Sequence, residues 1–310
     1  MTLQQLRYIL ALDDHRHFSA AAEACFVSQP TLTMQVKKLE ESLGFQLFDR
    51  QVHPIVPTPM GKGFLERARQ IMSQVTDLES WVNQEQDVIE GSYRVGIIPT
   101  LAPYVLPRVL PDLAQNSDGV ELTLTEVTSA RMLEQLKSGE LDIGVLVTPV
   151  DEESIREIPL YNEPFLIFGH PDGRGEGPGD GWDPADLPAD RLLLLEEGHC
   201  FRDQMLALCS RDRSTESAVR YESGSIASLQ ALVRAGMGYT LIPELAADPE
   251  HDAAFLRHFK APAPVREVSL VVHHSFPRER FIAWLREAIR SQMPESYRIA
   301  STGRRVRWRI

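Results

Sequence analysis

Cysteine is scarce in this sequence, with three residues, an odd number, in 310. A secreted disulfide framework needs more cysteines in even numbers, so we expect a cytoplasmic protein in which any disulfide is transient. The N-terminus has no charged-then-apolar signal pattern and no apolar run is long enough to cross a membrane, which argues against secretion and membrane insertion. Positive charge is also scarce: because the net charge is −12, any binding of nucleic acid must depend on local basic residues.

The sequence does contain the pattern of three short helices between residues 3 and 43. The second helix has Ser19 as its predicted N-cap, and the third starts at Ser28 with Pro30 in its first turn, where the missing N–H costs little. This third helix presents an uncharged polar face, which is typical of a helix-turn-helix in the major groove. The predicted DNA-binding residues, which include Arg50 of a following wing, are Ser28, Gln29, Pro30, Thr31, Thr33, Gln35, Lys37 and Arg50. The alternative is an ordinary three-helix bundle with a polar surface.

A long helix is predicted from Pro59 onward. Apolar residues recur at helical spacing over more than five turns, at Phe64, Ala68, Ile71, Val75, Leu78 and Val82. Since a free-standing helix of this length usually needs a partner, the pattern predicts a dimerising coiled coil. Beyond residue 90, short apolar strands alternate with helices, which indicates α/β architecture with parallel strands.

Two of the three cysteines, Cys200 and Cys209, lie nine positions apart in a segment with helical spacing of its apolar residues. Nine helical residues separate two Cα atoms by roughly 13–14 Å, whereas a disulfide needs about 7 Å or less. The two thiols therefore cannot bond until the helix opens. Cys200 sits in the first helical turn beside His199 and near Arg202, so we expect a lowered thiol pKa there. The alternative, that both are inert core cysteines, stays open.

The first 65 residues resemble the LysR-type transcriptional regulators. The stretches that carry this resemblance are Leu6-Arg7-Tyr8, Phe18-Ser19-Ala20-Ala21-Ala22, Val27-Ser28-Gln29-Pro30-Thr31-Leu32-Thr33, Leu39-Glu40 with Leu43-Gly44 and Leu47-Phe48-Asp49-Arg50, and Thr58-Pro59-Met60-Gly61. The resemblance implies a winged helix-turn-helix domain (1–58), a linker and dimerisation helix (59–90) and a two-lobed sensor like a periplasmic binding protein (91–310). We expect lobe I to comprise 91–162 and 266–295, and lobe II 163–265.

The cysteine segment is similar to that of the peroxide-sensing OxyR branch of this family. The similarity rests on Gly198-His199-Cys200-Phe201-Arg202-Asp203-Gln204, Cys209, Ile98-Pro99-Thr100, Pro103-Tyr104 and the corner from Glu126 to Ser129. It implies that hydrogen peroxide oxidises Cys200, the peroxidatic cysteine, to a sulfenic acid that Cys209 resolves as a reversible disulfide.

The resemblance and the chemistry of thiolates suggest roles for the neighbouring residues. His199, Arg202 and Arg266 would stabilise the thiolate and polarise the peroxide, and Asp203 would orient Arg202 or cap the helix. Thr100 and Ser129 would hold peroxide, Ser129 standing where this branch usually has threonine. No cofactor and no metal site is expected.

The sequence thus predicts a transcriptional regulator, not an enzyme, that acts as a homotetramer on double-stranded operator DNA, with RNA polymerase as a further partner. One alternative is a LysR-type regulator that binds a small effector between its lobes and has structural cysteines. A second is a thiol peroxidase, which the complete DNA-binding domain argues against. We further expect a mobile loop at 172–183, a strand at 192–195, a structural Cys25 and a loose basic tail at 304–309.

Overall fold

The computed structural model describes residues 1–83, 89–170, 181–187, 191–208, 224–298 and 303–306. These residues form two compact units: the first is Met1–Val88 together with Lys137–Glu140, and the second is the remainder from Ile89 onward. Within the described ranges, none of the helices has both the length and the apolar character needed to span a membrane.

The first unit is a winged helix-turn-helix followed by a long helix. Its elements are α1 (Leu3–His15), α2 (Phe18–Ala24), α3 (Gln29–Leu43), β1 (Phe48–Asp49), β2 (Val56–Pro57) and α4 (Pro59–Asn83), with β1 and β2 antiparallel. Ser28 caps α3 because its hydroxyl accepts the backbone N–H of Thr31. The predicted cap at Ser19 is wrong: α2 begins at Phe18, and the Ser19 hydroxyl donates to the Gln29 side chain instead.

The helix-turn-helix core contains the apolar face that the sequence predicts for α3. Leu32, Val36 and Leu39 are buried. The adjacent Glu40 is also buried, and its carboxylate accepts the backbone N–H of Leu47 at 2.9 Å and pairs with Arg50 at 2.5 Å. A buried carboxylate needs such partners, so Glu40 fixes the turn from α3 into the wing.

The second unit is built on strands in the order β4-β3-β5-β9-β6-β7, with β10 beside β9 and β8 beside β6. The strands are β3 (Gly91–Ile97), β4 (Val120–Glu126), β5 (Ile143–Thr148), β6 (Ile155–Gly169), β7 (Tyr239–Pro243), β8 (Leu256–Arg257), β9 (Pro264–His273) and β10 (Arg304–Arg305). The helices are α5 (Ala102–Gln115), α6 (Ser129–Ser138), α7 (Cys200–Leu208), α8 (Ile226–Arg234), α9 (Glu279–Ser291) and α10 (Glu295–Arg298). Strand β3 is parallel to β4 and β5, whereas β9 is antiparallel to β5 and β6.

Strand β6 joins two lobes. It pairs with β9 as far as Pro164 and with β7 from Phe165 onward, so one strand belongs to both halves. Each half has its own cluster of buried apolar side chains. The predicted α/β fold with a two-lobed sensor is confirmed, and the residue limits proposed for its domains stay a prediction.

Among the local predictions for the sensor, one strand is wrong, the loose tail is wrong in part, and the mobile loop lies mostly outside the described residues. The strand predicted at 192–195 is wrong, since only Leu192 forms an isolated bridge, with Tyr239. The tail is not loose over Arg304–Arg305, because these residues form β10 beside β9, Arg305 pairs with Glu267 at 2.7 Å and Val306 is buried. Most of the predicted mobile loop, 172–180, and the tail residues 307–309 lie outside the described residues.

Candidate functional site

The thiol of Cys200 lies at the seam between the two lobes. Gly198, with a φ of +94°, allows the turn that leads into α7, and Cys200 is the first residue of this helix. Its side chain is 3% exposed and packs in the apolar cluster of the first lobe, whereas Phe201 and Met205 pack in the cluster of the second lobe. The helix therefore belongs to one lobe while its reactive atom is inserted into the other.

Three of the predicted site residues lie at this thiol or at its neighbour Arg266. Thr100 follows β3, Ser129 begins α6 and Arg266 lies in β9, and all three are buried. Arg266 donates from Nη1 to the Thr100 hydroxyl at 3.3 Å and from Nη2 to the Thr100 carbonyl at 3.2 Å. Ser129 and Arg266 both act on the pKa of Cys200. Ser129 and Arg266, which are distant in sequence, thus lie beside the sulfur, and Arg266 in turn binds Thr100.

The thiol pKa of Cys200 departs from the prediction. Burial raises the pKa above its ordinary value, and the charge of Asp203 adds to this. The Ser129 hydroxyl, the Arg266 guanidinium and the backbone N–H of Phe201 oppose that rise without cancelling it. The expected lowering is wrong because the sequence indicated the helix N-terminus and the nearby charges but not the complete removal of the thiol from water.

His199 and Arg202 are directed toward other groups. The Arg202 guanidinium donates to the Leu195 carbonyl at 2.6 Å, and the buried His199 ring lies 3.5 Å from the Glu196 carboxylate. Asp203 is half-buried. The positive charge that acts on Cys200 is that of Arg266, so the roles suggested for His199 and Arg202 stay predictions.

Cys209 lies outside the described residues, yet α7 itself limits disulfide formation. The helix runs from Cys200 to Leu208, so its end Cα atoms are roughly 12 Å apart. The two ends of the intact helix are therefore too far apart for a disulfide to join them. A disulfide needs about 7 Å or less.

Two residues of the site were missed by sequence reasoning. Glu163 is fully buried and its carboxylate binds Arg266; the available signal was an acidic residue within the apolar run of β6. Tyr104 of α5, in the first lobe, packs on the apolar cluster of the second lobe, and burial raises the pKa of its hydroxyl.

The predicted DNA-binding residues all lie on or beside α3 and the wing. Gln29, Pro30 and Lys37 are exposed, and Thr31, Thr33 and Gln35 are half-buried. Some of them make contacts within the domain: Gln35 accepts a hydrogen bond from Gln5, and Arg50 pairs with Glu40 and lies over the Phe18 ring. Whether each residue contacts DNA stays a prediction.

Met34 is a further surface residue of α3 that sequence reasoning missed. It is 59% exposed in the middle of this helix, whereas apolar residues of α3 are otherwise expected to face the core. An exposed apolar side chain on a recognition helix can contact the methyl group of thymine. The sequence indicates this exposure, because Met34 does not share the helical spacing that places Leu32, Val36 and Leu39 on the buried face.

Comparisons with known proteins agree with this architecture. Residues 3–62 match the family described as bacterial regulatory helix-turn-helix protein, lysR family, and residues 86–294 match the LysR substrate binding domain. The chain is 36% identical over 298 residues to the DNA-binding transcriptional dual regulator OxyR of Escherichia coli (strain K12), covering 94% of this chain and 96% of that protein. This chain belongs to the LysR family, in its OxyR branch.

Solved structures of OxyR proteins are similar to the structure of this LysR regulator. A full-length OxyR variant from Pseudomonas aeruginosa, with one cysteine replaced by aspartate, has a TM-score of 0.79 at 34% identity, covering 94% of this chain and 95% of that chain. A Corynebacterium glutamicum OxyR variant with a cysteine replaced by serine, solved with bound H2O2, has a TM-score of 0.60 at 28% identity, covering 94% and 92%.

The Ser129 hydroxyl provides a test of the thiol environment. Because Ser129 lowers the pKa of Cys200, Ser129→Ala should move the midpoint of Cys200 alkylation against pH to higher pH and slow alkylation at neutral pH. The fold should persist, since Ser129 Oγ has no well-formed hydrogen bond among the described residues. Ser138→Ala, at the other end of α6, should leave the profile unchanged. An unchanged profile for Ser129→Ala would contradict this arrangement.

Met34 should contribute to sequence preference on DNA. On an operator selected by the protein from randomised duplexes, replacing one thymine by deoxyuridine should weaken binding about fourfold, since burying a methyl group is worth roughly 0.8 kcal/mol. Met34→Ala should abolish that difference. Lys37→Ala should instead weaken binding to all sequences and lower the salt slope by about 1. Identical deoxyuridine profiles for the wild type and Met34→Ala would refute the contact.

Proposed function

We propose that this LysR regulator senses hydrogen peroxide through Cys200 and activates transcription from double-stranded operator DNA. The observation that carries the proposal is a buried thiol at the first turn of a short helix, close to the Ser129 hydroxyl and to the Arg266 guanidinium, which binds Thr100. Thr100 and Ser129 can hydrogen-bond a small polar molecule, and the Arg266 guanidinium can stabilise developing negative charge. The relatives described as hydrogen peroxide-inducible genes activators support the same function.

The chemistry of the proposed reaction requires two steps. The Cys200 thiolate attacks one oxygen of H2O2, the O–O bond breaks, and the leaving hydroxide takes up a proton to become water, which leaves Cys200 as a sulfenic acid. The thiol of Cys209 then attacks the Cys200 sulfur, forming the disulfide and releasing a second water molecule. Cellular thiols reduce the disulfide by exchange. The cycle uses no metal ion or organic cofactor.

The opening of α7 couples this chemistry to shape. Phe201 and Met205 are completely buried, and the Phe201 ring stacks on Phe165 with centroids 5.4 Å apart. Exposing both side chains costs roughly 3–6 kcal/mol, which raises the reduction potential of the disulfide by roughly 65–130 mV. Structural disulfides have potentials below about −300 mV, so this increase brings the disulfide within reach of cellular thiols. The sensor can therefore be reset.

The same opening can be transmitted to DNA in an oligomer. Ile71 and Leu78 are exposed apolar residues of α4, as expected of a helix that pairs with a second copy. A dimer suits a two-fold operator, and we propose a homotetramer in which repacking of the sensors changes the spacing of the recognition helices. RNA polymerase is the expected partner of the activated form.

Peptide mapping under non-reducing conditions tests the disulfide. Trypsin cleaves after Arg191, Arg202 and Arg211, so Cys200 and Cys209 fall in adjacent peptides. After stoichiometric peroxide and thiol blocking, we expect peptide 192–202 linked to peptide 203–211. Cys25→Ser should retain this link and Cys200→Ser should abolish it, whereas Cys209→Ser should accumulate a sulfenic acid that dimedone traps.

Other outcomes would identify the alternatives. Linkage through Cys25, or no linkage, would contradict the switch. Transcriptional activity that persists in Cys200→Ser but requires a metabolite would indicate a small effector between the lobes. Sustained peroxide consumption with thioredoxin would indicate a thiol peroxidase.

A further inference from the structure

The reaction proposed for Cys200 assigns no role to Glu163, although this residue is buried next to Arg266. It is the register partner of Arg266 across β6 and β9, at the point where β6 passes from one lobe to the other. Its side chain is 0% exposed. Oε2 accepts Nε of Arg266 at 2.8 Å and lies 2.7 Å from Nη2, and Oε1 accepts the backbone N–H of Leu245 at 3.0 Å. Both carboxylate oxygens are therefore engaged.

The geometry of Arg266 depends on this carboxylate. Glu163 holds the Nε and Nη2 side of the guanidinium, and Thr100 accepts from Nη1 and Nη2. The guanidinium also lies over the Phe201 ring, with its carbon 5.3 Å from the ring centroid. Of the two N–H groups on Nη1, one has no acceptor among the described residues. Because the Arg266 charge acts on Cys200, that donor is available to an oxygen atom that reacts at the sulfur.

Burial explains why Arg266 needs an anionic partner. The side chain is 1% exposed, and an unpaired charge in such a place is strongly destabilised. Without the carboxylate, the guanidinium would turn toward water or draw water into the seam. Either change would displace its free N–H group, and a misplacement of about 1 Å can reduce a reaction rate about a hundredfold.

We infer that Glu163 is a positioning residue for the reaction of Cys200 with peroxide, an inference that rests on the function proposed above. The carboxylate of Glu163 binds Arg266 and the backbone of Leu245, and it would act on the reaction through Arg266. The guanidinium, held in place, donates to the peroxide oxygen that leaves when the O–O bond breaks, so it stabilises the hydroxide formed there. Reaction with an alkylating agent breaks no O–O bond and needs only the thiolate. Glu163 should therefore support the preference of Cys200 for peroxide over other electrophiles.

The test compares two rate constants of full-length Cys25→Ser, Cys209→Ser protein at one pH: that for H2O2 and that for iodoacetamide. We expect Glu163→Gln, which keeps the shape of the side chain and removes its charge, to lower the peroxide rate constant by about 10- to 100-fold. The iodoacetamide rate constant should fall much less, because that reaction follows only the thiolate fraction, so the ratio of the peroxide to the iodoacetamide rate constant should fall. Glu163→Asp, which keeps the charge on a shorter side chain, should recover part of the peroxide rate.

A matched control is available on the same strand. Glu157 of β6 accepts the backbone N–H of Val150 at 2.7 Å, so Glu157→Gln also removes a hydrogen-bonded carboxylate and should leave both rate constants unchanged. If Glu163→Gln fails to fold, Glu163→Asp is compared alone with the parent, and a selective fall of the peroxide rate constant of at least about threefold is expected, since the shorter side chain displaces Arg266.

The outcomes distinguish this inference from the function on which it rests. An unchanged ratio of the two rate constants in the Glu163 variants, or an equal fall of both, would overturn the positioning role and leave a purely structural one. A parent protein that reacts with peroxide no faster than free cysteine would instead overturn the proposed function, whatever the Glu163 variants do.

Discussion

The buried ion pair between Arg266 and Glu163 is the constraint on which the site depends. It joins the two strands that connect the lobes, β6 and β9, and holds the guanidinium at a buried position. The same guanidinium binds Thr100 in the first lobe and lies over Phe201 of α7 in the second. The Arg266 guanidinium, held by Glu163, therefore contacts both lobes and also acts electrostatically on Cys200. A buried pair of this kind adds little net stability, so its main effect is to position the Arg266 guanidinium.

Burial of Cys200 gives the site a selectivity that a freely accessible thiolate would lack. The raised pKa lowers the thiolate fraction, which limits reaction with indiscriminate electrophiles. In the proposed reaction, a small molecule that hydrogen-bonds Thr100 and Ser129 would react at the sulfur, and Arg266 would stabilise its transition state. The proposed selectivity thus comes from stabilisation of the reacting oxygen atoms rather than from an abundance of thiolate. In the proposed switch, α7 would have to open before Cys200 could form a disulfide, so one element would couple the chemistry to the conformational change.

Much of the fold could be predicted because its signals are local. Ser28 and Pro30 mark the start of α3, and the apolar positions Leu32, Val36 and Leu39 mark its buried face. The alternation of strands and helices predicted the α/β class, and the family resemblance implied the two-lobed sensor. What could not be predicted depends on contacts between distant segments. The pairing of Arg304–Arg305 with β9, the turning of Arg202 toward Leu195, and the contact of Glu163 with Arg266 all lack a local pattern. The predicted direction of the Cys200 pKa shift was wrong for the same reason, because residues of the opposite lobe bury the thiol.

The most direct test of the central claim measures the pKa of Cys200 and its rate of reaction with peroxide in the same protein. In a Cys25→Ser, Cys209→Ser variant, alkylation against pH reports the thiol of Cys200 alone, and rapid mixing with H2O2 gives its rate constant. We expect a pKa above that of free cysteine, together with a peroxide rate constant at neutral pH at least about a hundredfold above that of free cysteine. A pKa far below that of free cysteine would attribute the reactivity to thiolate abundance, and a peroxide rate equal to that of free cysteine would contradict activation by the pocket.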